Sequence, residues 1–321
     1  MVTSGGFGGV AAPGGKDPIP PEAANPPKSR ERAIGVFDSG LGGLTVVRAL
    51  KELLPQEHLV YFGDTARAPY GPRPLEEVRR FALEVMDLMV GEDVKMLVIG
   101  CNAMTAAAYE EARQRYAVPV VGVIEPGVRA ALRATHNGKV AVLGTRATIG
   151  SGQYVRALEQ RSADVEVYTQ VCDGFVELVE SGDTFSEELF SLAEDYLAPL
   201  VGKGVDTLVL GCTHYPMLKG VLYSVTGGEV ELISSADEVA KDTYATLVER
   251  GLLRRVRELG TCRFIVSGDA GHFRRVGSRF LPGIRAVEQR PWPAGPAPGP
   301  ASSASQRKRR TRNHRRSGGD E

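Results

Sequence analysis

Two segments of this chain carry a run of apolar residues into the same pair, glycine then cysteine. They are Val94-Lys95-Met96-Leu97-Val98-Ile99-Gly100-Cys101 and Val205-Asp206-Thr207-Leu208-Val209-Leu210-Gly211-Cys212. A thiol has a reference pKa of about 8.5, so either protonation state is within reach near neutrality. Two such groups can do what inverting a hydrogen-bearing stereocentre requires. A base removes the proton from one face, and an acid returns a proton to the other. A reaction that runs both ways asks for chemically equivalent groups, which a pair from equivalent positions supplies. His214, two residues beyond Cys212, can orient that thiol or exchange protons with it. Asp38, closing the apolar run Ile34-Gly35-Val36-Phe37, can serve Cys101 in the same way or hold a substrate ammonium. Asn102, Thr145 and Thr213 also come directly after such runs and offer uncharged donors to a carboxylate.

The pattern around these residues indicates the elements that must position them. Short apolar runs alternate with helical stretches, which argues for parallel sheets covered on both faces by helices. The pattern occurs twice. Val140-Ala141-Val142-Leu143-Gly144-Thr145 repeats the first strand and turn, and Val155-Arg156-Ala157-Leu158 echoes Val47-Arg48-Ala49-Leu50. The cysteines lie 111 positions apart (101 to 212), and the first-strand copies 106 apart (34 to 140). Two pseudo-symmetric α/β domains are therefore expected. Ligands of open α/β sheets sit beyond the carboxyl ends of the strands. Facing halves would thus place Cys101 and Cys212 on opposite walls of one cleft. Each cysteine is expected just before a helix, whose N-terminus favours a thiolate.

The chain has 321 residues, 42% of them apolar, with 39 basic and 39 acidic side chains and no formal net charge. No global field draws it to nucleic acid or membrane. Its four cysteines form no CxxC pair, which argues against a disulfide framework and for a reducing, cytoplasmic setting. No apolar run reaches the roughly 18–20 residues that span a bilayer. Residues 1–32 are rich in Gly, Pro and Ala, and 291–321 run from Pro-Ala-Gly repeats into the basic Arg307-Lys308-Arg309-Arg310. Both ends are expected to be disordered, since neither buries enough apolar surface to offset its ordering entropy. The basic tail has no aromatic residues between its charges for base stacking, so a solvated tail is favoured over a nucleic-acid contact.

Other chemistries fit less well. Cys212 and His214 are metal-ligand types, yet no closed set of four stands at a recognised spacing. Asp38-Ser39-Gly40-Leu41-Gly42-Gly43 lacks both the GxGxxG order and a Walker lysine-serine pair. Cys172 and Cys262 lack the strand-end glycine-cysteine frame and read as structural.

Four blocks together resemble the glutamate racemases of the aspartate/glutamate racemase superfamily. They are Phe37-Asp38-Ser39-Gly40-Leu41-Gly42-Gly43-Leu44-Thr45, Tyr61-Phe62-Gly63-Asp64-Thr65 with Pro69-Tyr70-Gly71, Gly100-Cys101-Asn102, and Gly211-Cys212-Thr213-His214-Tyr215-Pro216. The resemblance spans about 33–273. It implies interconversion of L- and D-glutamate without pyridoxal phosphate, metal or nucleotide, as a supply of D-glutamate for peptidoglycan. It implies that Cys101 acts on D-glutamate and Cys212 on L-glutamate, assisted by Asp38, His214 and Glu180. Substrate contacts would come from Asp38, Ser39, Tyr70, Gly71, Asn102, Ala103, Thr145, Thr213 and His214. By the same analogy, 33–124 with 235–290 would form the first domain and 125–234 the second, in a homodimer. Two departures stand out. Ala103 occupies a position where the family usually has Thr or Ser, which removes a hydroxyl contact and predicts weaker glutamate binding. Cys172-Asp173 replaces a more usual Cys-Pro. The rival readings are a racemase for aspartate or another amino acid, and a non-catalytic module that binds gyrase through the basic tail.

Overall fold

The computed structural model describes residues 27–292. Ten strands fall in two sheets. The first uses β1 (Ile34–Asp38), β2 (Leu59–Gly63), β3 (Met96–Ile99), β4 (Val120–Gly122), β9 (Cys262–Val266) and β10 (Glu288–Gln289), in the order β10-β9-β2-β1-β3-β4. The second uses β5 (Lys139–Gly144), β6 (Glu166–Val171), β7 (Thr207–Gly211) and β8 (Glu231–Ser234), in the order β6-β5-β7-β8. Every pairing among the described strands is parallel. The order β2-β1-β3-β4 within the first sheet is the order of the whole second sheet. The sequence repeat is thus a repeat of topology: β1 corresponds to β5 and β3 to β7.

The strand sequences explain the arrangement. β1, β2, β3 and β7 are buried at every residue, as near-continuous apolar runs should be when helices cover both faces. β6 is an edge strand, and none of its residues is fully buried. Along β5, Ala141 and Leu143 join one apolar cluster while Val140 and Val142 join another, the period of two that a strand imposes. The first cluster is continuous from Val36 and Val98 in the first sheet to Leu208 and Leu210 in the second. The helix Leu44–Leu53 shows how the layers are covered. It buries Leu44, Val46, Val47 and Leu50 and exposes Arg48 and Glu52.

Two expectations need correction. Residues 27–32, assigned to the disordered extension, are ordered from a short helix at Pro27–Arg30 onward. The reason is a buried cation. Lys95 is 3% exposed, and its ammonium donates to Arg30 O (2.6 Å) and Leu252 O (2.9 Å) and pairs with Glu57. A buried charge needs such a complete set of partners. The second correction concerns Cys212. It does not precede an α-helix directly. A 3₁₀ turn, Tyr215–Leu218, intervenes with Pro216 near its start, before a seven-residue helix, Lys219–Val225. Residues 1–26 and the basic tail from 293 lie outside the described residues. No helix among the described residues is long and apolar enough to cross a membrane.

Candidate active site

β1 and β3 end side by side in the first sheet, and β5 and β7 do so in the second. Their carboxyl ends meet at a cavity of about 360 Å³, within the range of small-ligand sites. Cys101, one residue past Gly100 at the end of β3, lines it from one half, and Cys212, one residue past β7, from the other. Both thiols are buried. Asp38, Ser39, Tyr70, Gly71, Asn102 and Ala103 line the same cavity from the first half. Thr145, Glu180, Thr213 and His214 line it from the second. Every candidate catalytic or substrate-contact residue named from the sequence therefore lines one cleft.

The two thiols have different surroundings. Cys101 caps the helix Asn102–Arg115, and its sulfur lies 3.8 Å from Ser39 Oγ. Burial, and then the charge of Asp38, push this thiol well above its ordinary range, against the opposing pull of the Met104 amide. The helix N-terminus alone would favour the thiolate, as the sequence led one to expect, but here it is outweighed. Asp38 itself is pushed up by burial, against the attraction of His214 and the hydrogen bond from Gly43. Its Oδ2 accepts from Gly43 N at 2.8 Å, whereas Oδ1 is buried and has no hydrogen-bond partner in the protein.

Cys212 Sγ lies 3.7 Å from His214 Nδ1, and His214 Nε2 lies 2.9 Å from Glu180 Oε1. The imidazole is 6% exposed. Burial works against its charged form, yet the bonds to Cys212 and Glu180 prevail and push its pKa up to about 10. The arrangement is a chain of carboxylate, imidazole and sulfur, with the imidazole able to hold a proton beside the Cys212 sulfur.

The halves touch around the cavity. Ala147 N donates to Gly71 O at 2.8 Å, and Thr45 Oγ1 donates to Thr213 O at 3.2 Å. Arg279 Nη1 donates to Glu180 O at 3.1 Å, and the Phe280 ring meets His214 edge-on at 5.5 Å. Gly42 makes the closest approach. A Cβ there would lie 2.3 Å from Thr213 Oγ1 and 2.6 Å from His214 Nδ1, so only glycine fits. Asp64 braces the loop that carries Tyr70 and Gly71. It accepts from the Tyr70 hydroxyl, from Arg67 Nε at 2.6 Å and from Ser267 Oγ at 2.7 Å.

Some lining residues were not anticipated. Thr65, Arg146, Thr148, Val176 and Glu177 face the cavity. Thr65 belongs to a block already noted, and Arg146 comes directly after Thr145; the others carried no signal. Cys172, read as purely structural, is also on the wall, although its neighbours are core residues. Asp173, where Pro is more usual, pairs with Arg146 at the exposed rim. Among the described residues no group of three or more His, Cys, Asp or Glu side chains is arranged to hold a metal ion.

Known proteins share this sequence and fold. The family model described as Asp/Glu/Hydantoin racemase matches residues 34–243. A glutamate racemase of Acidothermus cellulolyticus is 53% identical over 253 residues, covering 78% of this chain and 96% of that protein. The crystal structure of a Bacillus anthracis glutamate racemase isoform matches with a TM-score of 0.78 at 36% identity, over 81% of this chain and 98% of that one. The Francisella tularensis glutamate racemase, solved in complex with D-glutamate, matches with a TM-score of 0.77 at 35% identity, also over 81% and 98%. The chain belongs to the Asp/Glu/Hydantoin racemase family and, within it, to the glutamate racemases.

Proposed function

We propose that this protein interconverts L- and D-glutamate by proton transfer between two thiols, without pyridoxal phosphate, metal or nucleotide. The observation that carries this reading is the placement of Cys101 and Cys212. They stand past corresponding strands of two topologically matched sheets and line one cavity, Cys101 with Asp38 nearby and Cys212 beside His214.

Going from L to D, the Cys212 thiolate takes the α-proton and becomes a thiol. The electron pair left on the α-carbon delocalises into the carboxylate. The Cys101 thiol then delivers its proton to the opposite face and becomes a thiolate. His214, held by Glu180, keeps a positive charge beside Cys212 and stabilises its thiolate before the transfer. Asp38 keeps Cys101 protonated until the carbanion forms. The first-turn amides of the helix Asn102–Arg115 are free of intrahelical bonds and suit a substrate carboxylate. The reverse reaction exchanges the roles, so Cys101 acts on D-glutamate. The product D-glutamate would serve peptidoglycan synthesis in the cytoplasm.

We further assign 33–124 with 235–290 to one domain and 125–234 to the other, and a homodimer as the working assembly.

Incubation with L-glutamate in D2O without added cofactor tests the chemistry, followed by circular dichroism and α-proton NMR, with L-aspartate as comparison. Loss of both signals for glutamate, abolished by Cys101→Ala and by Cys212→Ala, is the expected result. A folded protein that neither racemises glutamate nor takes up deuterium would overturn the reading.

A further inference from the structure

Tyr154 takes no part in the chemistry above, and nothing in the sequence pattern marks it. It lies on the helix Gln153–Arg161 of the second half and is 2% exposed. Its hydroxyl crosses to the first half and donates to Asn102 Oδ1 at 2.7 Å. Asn102 is the residue after Cys101, is itself 2% exposed, and lines the cavity. The ring packs against two glycines. A Cβ at Gly211, which precedes Cys212, would lie 3.4 Å from Tyr154 Cε2, and one at Gly127 would lie 3.6 Å from the hydroxyl oxygen. The phenol therefore sits between the two segments that carry the cysteines.

An asparagine amide has one acceptor end and one donor end. The tyrosine hydroxyl, which can donate or accept, here donates to the oxygen end, so the nitrogen end faces away from it. Asn102 Nδ2 is then left buried with no hydrogen-bond partner in the protein. Buried donors are rarely left unmet. A donor on the wall of a cavity, with its partner missing, points to an anionic oxygen of the ligand.

We infer that Tyr154 is a positioning residue for substrate: its hydroxyl holds the Asn102 amide with Nδ2 presented to a substrate carboxylate. This rests on the reading of the cleft as the glutamate site. Burial, and then the charge of Cys212, push the phenol above its ordinary range, so it remains a donor throughout the working pH range. The interaction acts on bound substrate and transition state alike, so its loss raises KM more than it lowers kcat.

The test uses the full chain with Tyr154→Phe, Asn102→Ala and the double variant, assayed in both directions. Tyr154→Phe keeps the ring and its packing, and thermal melting checks that it folds. The expected result is a KM raised about tenfold for both enantiomers, the effect of one hydrogen bond to a charged group, with kcat changed by less than about twofold. In the Asn102→Ala background the same substitution should have no further effect. An unchanged KM for Tyr154→Phe, or effects of the two substitutions that simply multiply, would overturn the inference. A wild-type protein that did not racemise glutamate would defeat the functional reading instead. The orientation would then be read from the Asn102 side-chain amide signal by NMR. Tyr154→Phe must shift or broaden it, and an unperturbed signal overturns the inference on its own.

Discussion

Cys101 and Cys212 occupy equivalent positions but not equivalent fields. A buried carboxyl group stands near the first and a buried imidazole beside the second. In the proposed mechanism this asymmetry distinguishes the two thiols, with the imidazole serving Cys212 and the carboxyl group serving Cys101. It also has a signature in stability. The His214 pKa is raised from its ordinary 6.5 to about 10, so the folded state holds this proton more tightly than the unfolded chain does. That contribution is fully present below about 6.5 and is lost as pH rises through about 10. Denaturation across this window should show wild type losing stability relative to His214→Asn, which cannot make the same transition. Parallel curves for the two proteins would refute the raised affinity of His214 for its proton. Ala103 gives a second residue-scale prediction. Its side chain lines the cavity without a hydroxyl. Ala103→Thr should lower KM for glutamate by about tenfold or more, since a hydrogen bond to a charged group contributes roughly 1.5–3 kcal/mol. An unchanged Michaelis constant and turnover would show that the hydroxyl is not missed.

At the scale of elements, the site depends on loops from two sheets meeting without a gap. The turn after β1 presses on the turn after β7 at Gly42, where a single methyl group would collide with both Thr213 and His214. Gly42→Ala should push the imidazole away from Cys212 while leaving both sheets intact. A misplacement of about 1 Å at a reacting centre can cost about a hundredfold in rate. The expected outcome is a kcat lower by that order, with a melting temperature close to that of wild type. Equal losses of stability and activity would instead point to a general disruption of packing. The sequence made the elements themselves legible, because the apolar runs at 34–37, 97–99, 140–143 and 208–210 are bare enough of charge to declare buried strands. The segment after Cys212 was less legible, because Pro216 is compatible both with the start of an α-helix and with the 3₁₀ turn that forms. Neither the Tyr154–Asn102 contact nor the Asp64 brace was legible, since each joins residues whose proximity only the packing decides.

Across the whole molecule, the duplicated order of strands explains why one cleft holds every candidate catalytic or substrate-contact residue named from the sequence. Offsets of 106 and 111 positions carry the repeat into matched sheets, and the strand ends then converge. What the repeat does not reveal is how the chain before β1 is secured. Composition alone assigns everything up to residue 32 to an unstructured extension, yet Arg30 supplies a backbone carbonyl to the buried Lys95 ammonium, and Glu31 pairs with Arg254 at 2.8 Å. Composition reports how much apolar surface a segment can bury. It says nothing of a single carbonyl that completes the shell of a buried charge. Burial already pulls the Lys95 pKa down, against the attraction of Glu57, so a lost acceptor falls on a site with little to spare. A chain beginning at Ala33 should therefore be less stable than one beginning at Pro27 by about 1–3 kcal/mol, the cost of leaving one buried donor unmet. Lys95→Met should largely erase the difference between the two truncations, because a thioether needs no acceptor. If the two truncated chains unfold at the same denaturant concentration, the carbonyl is dispensable and the extension begins where composition places it.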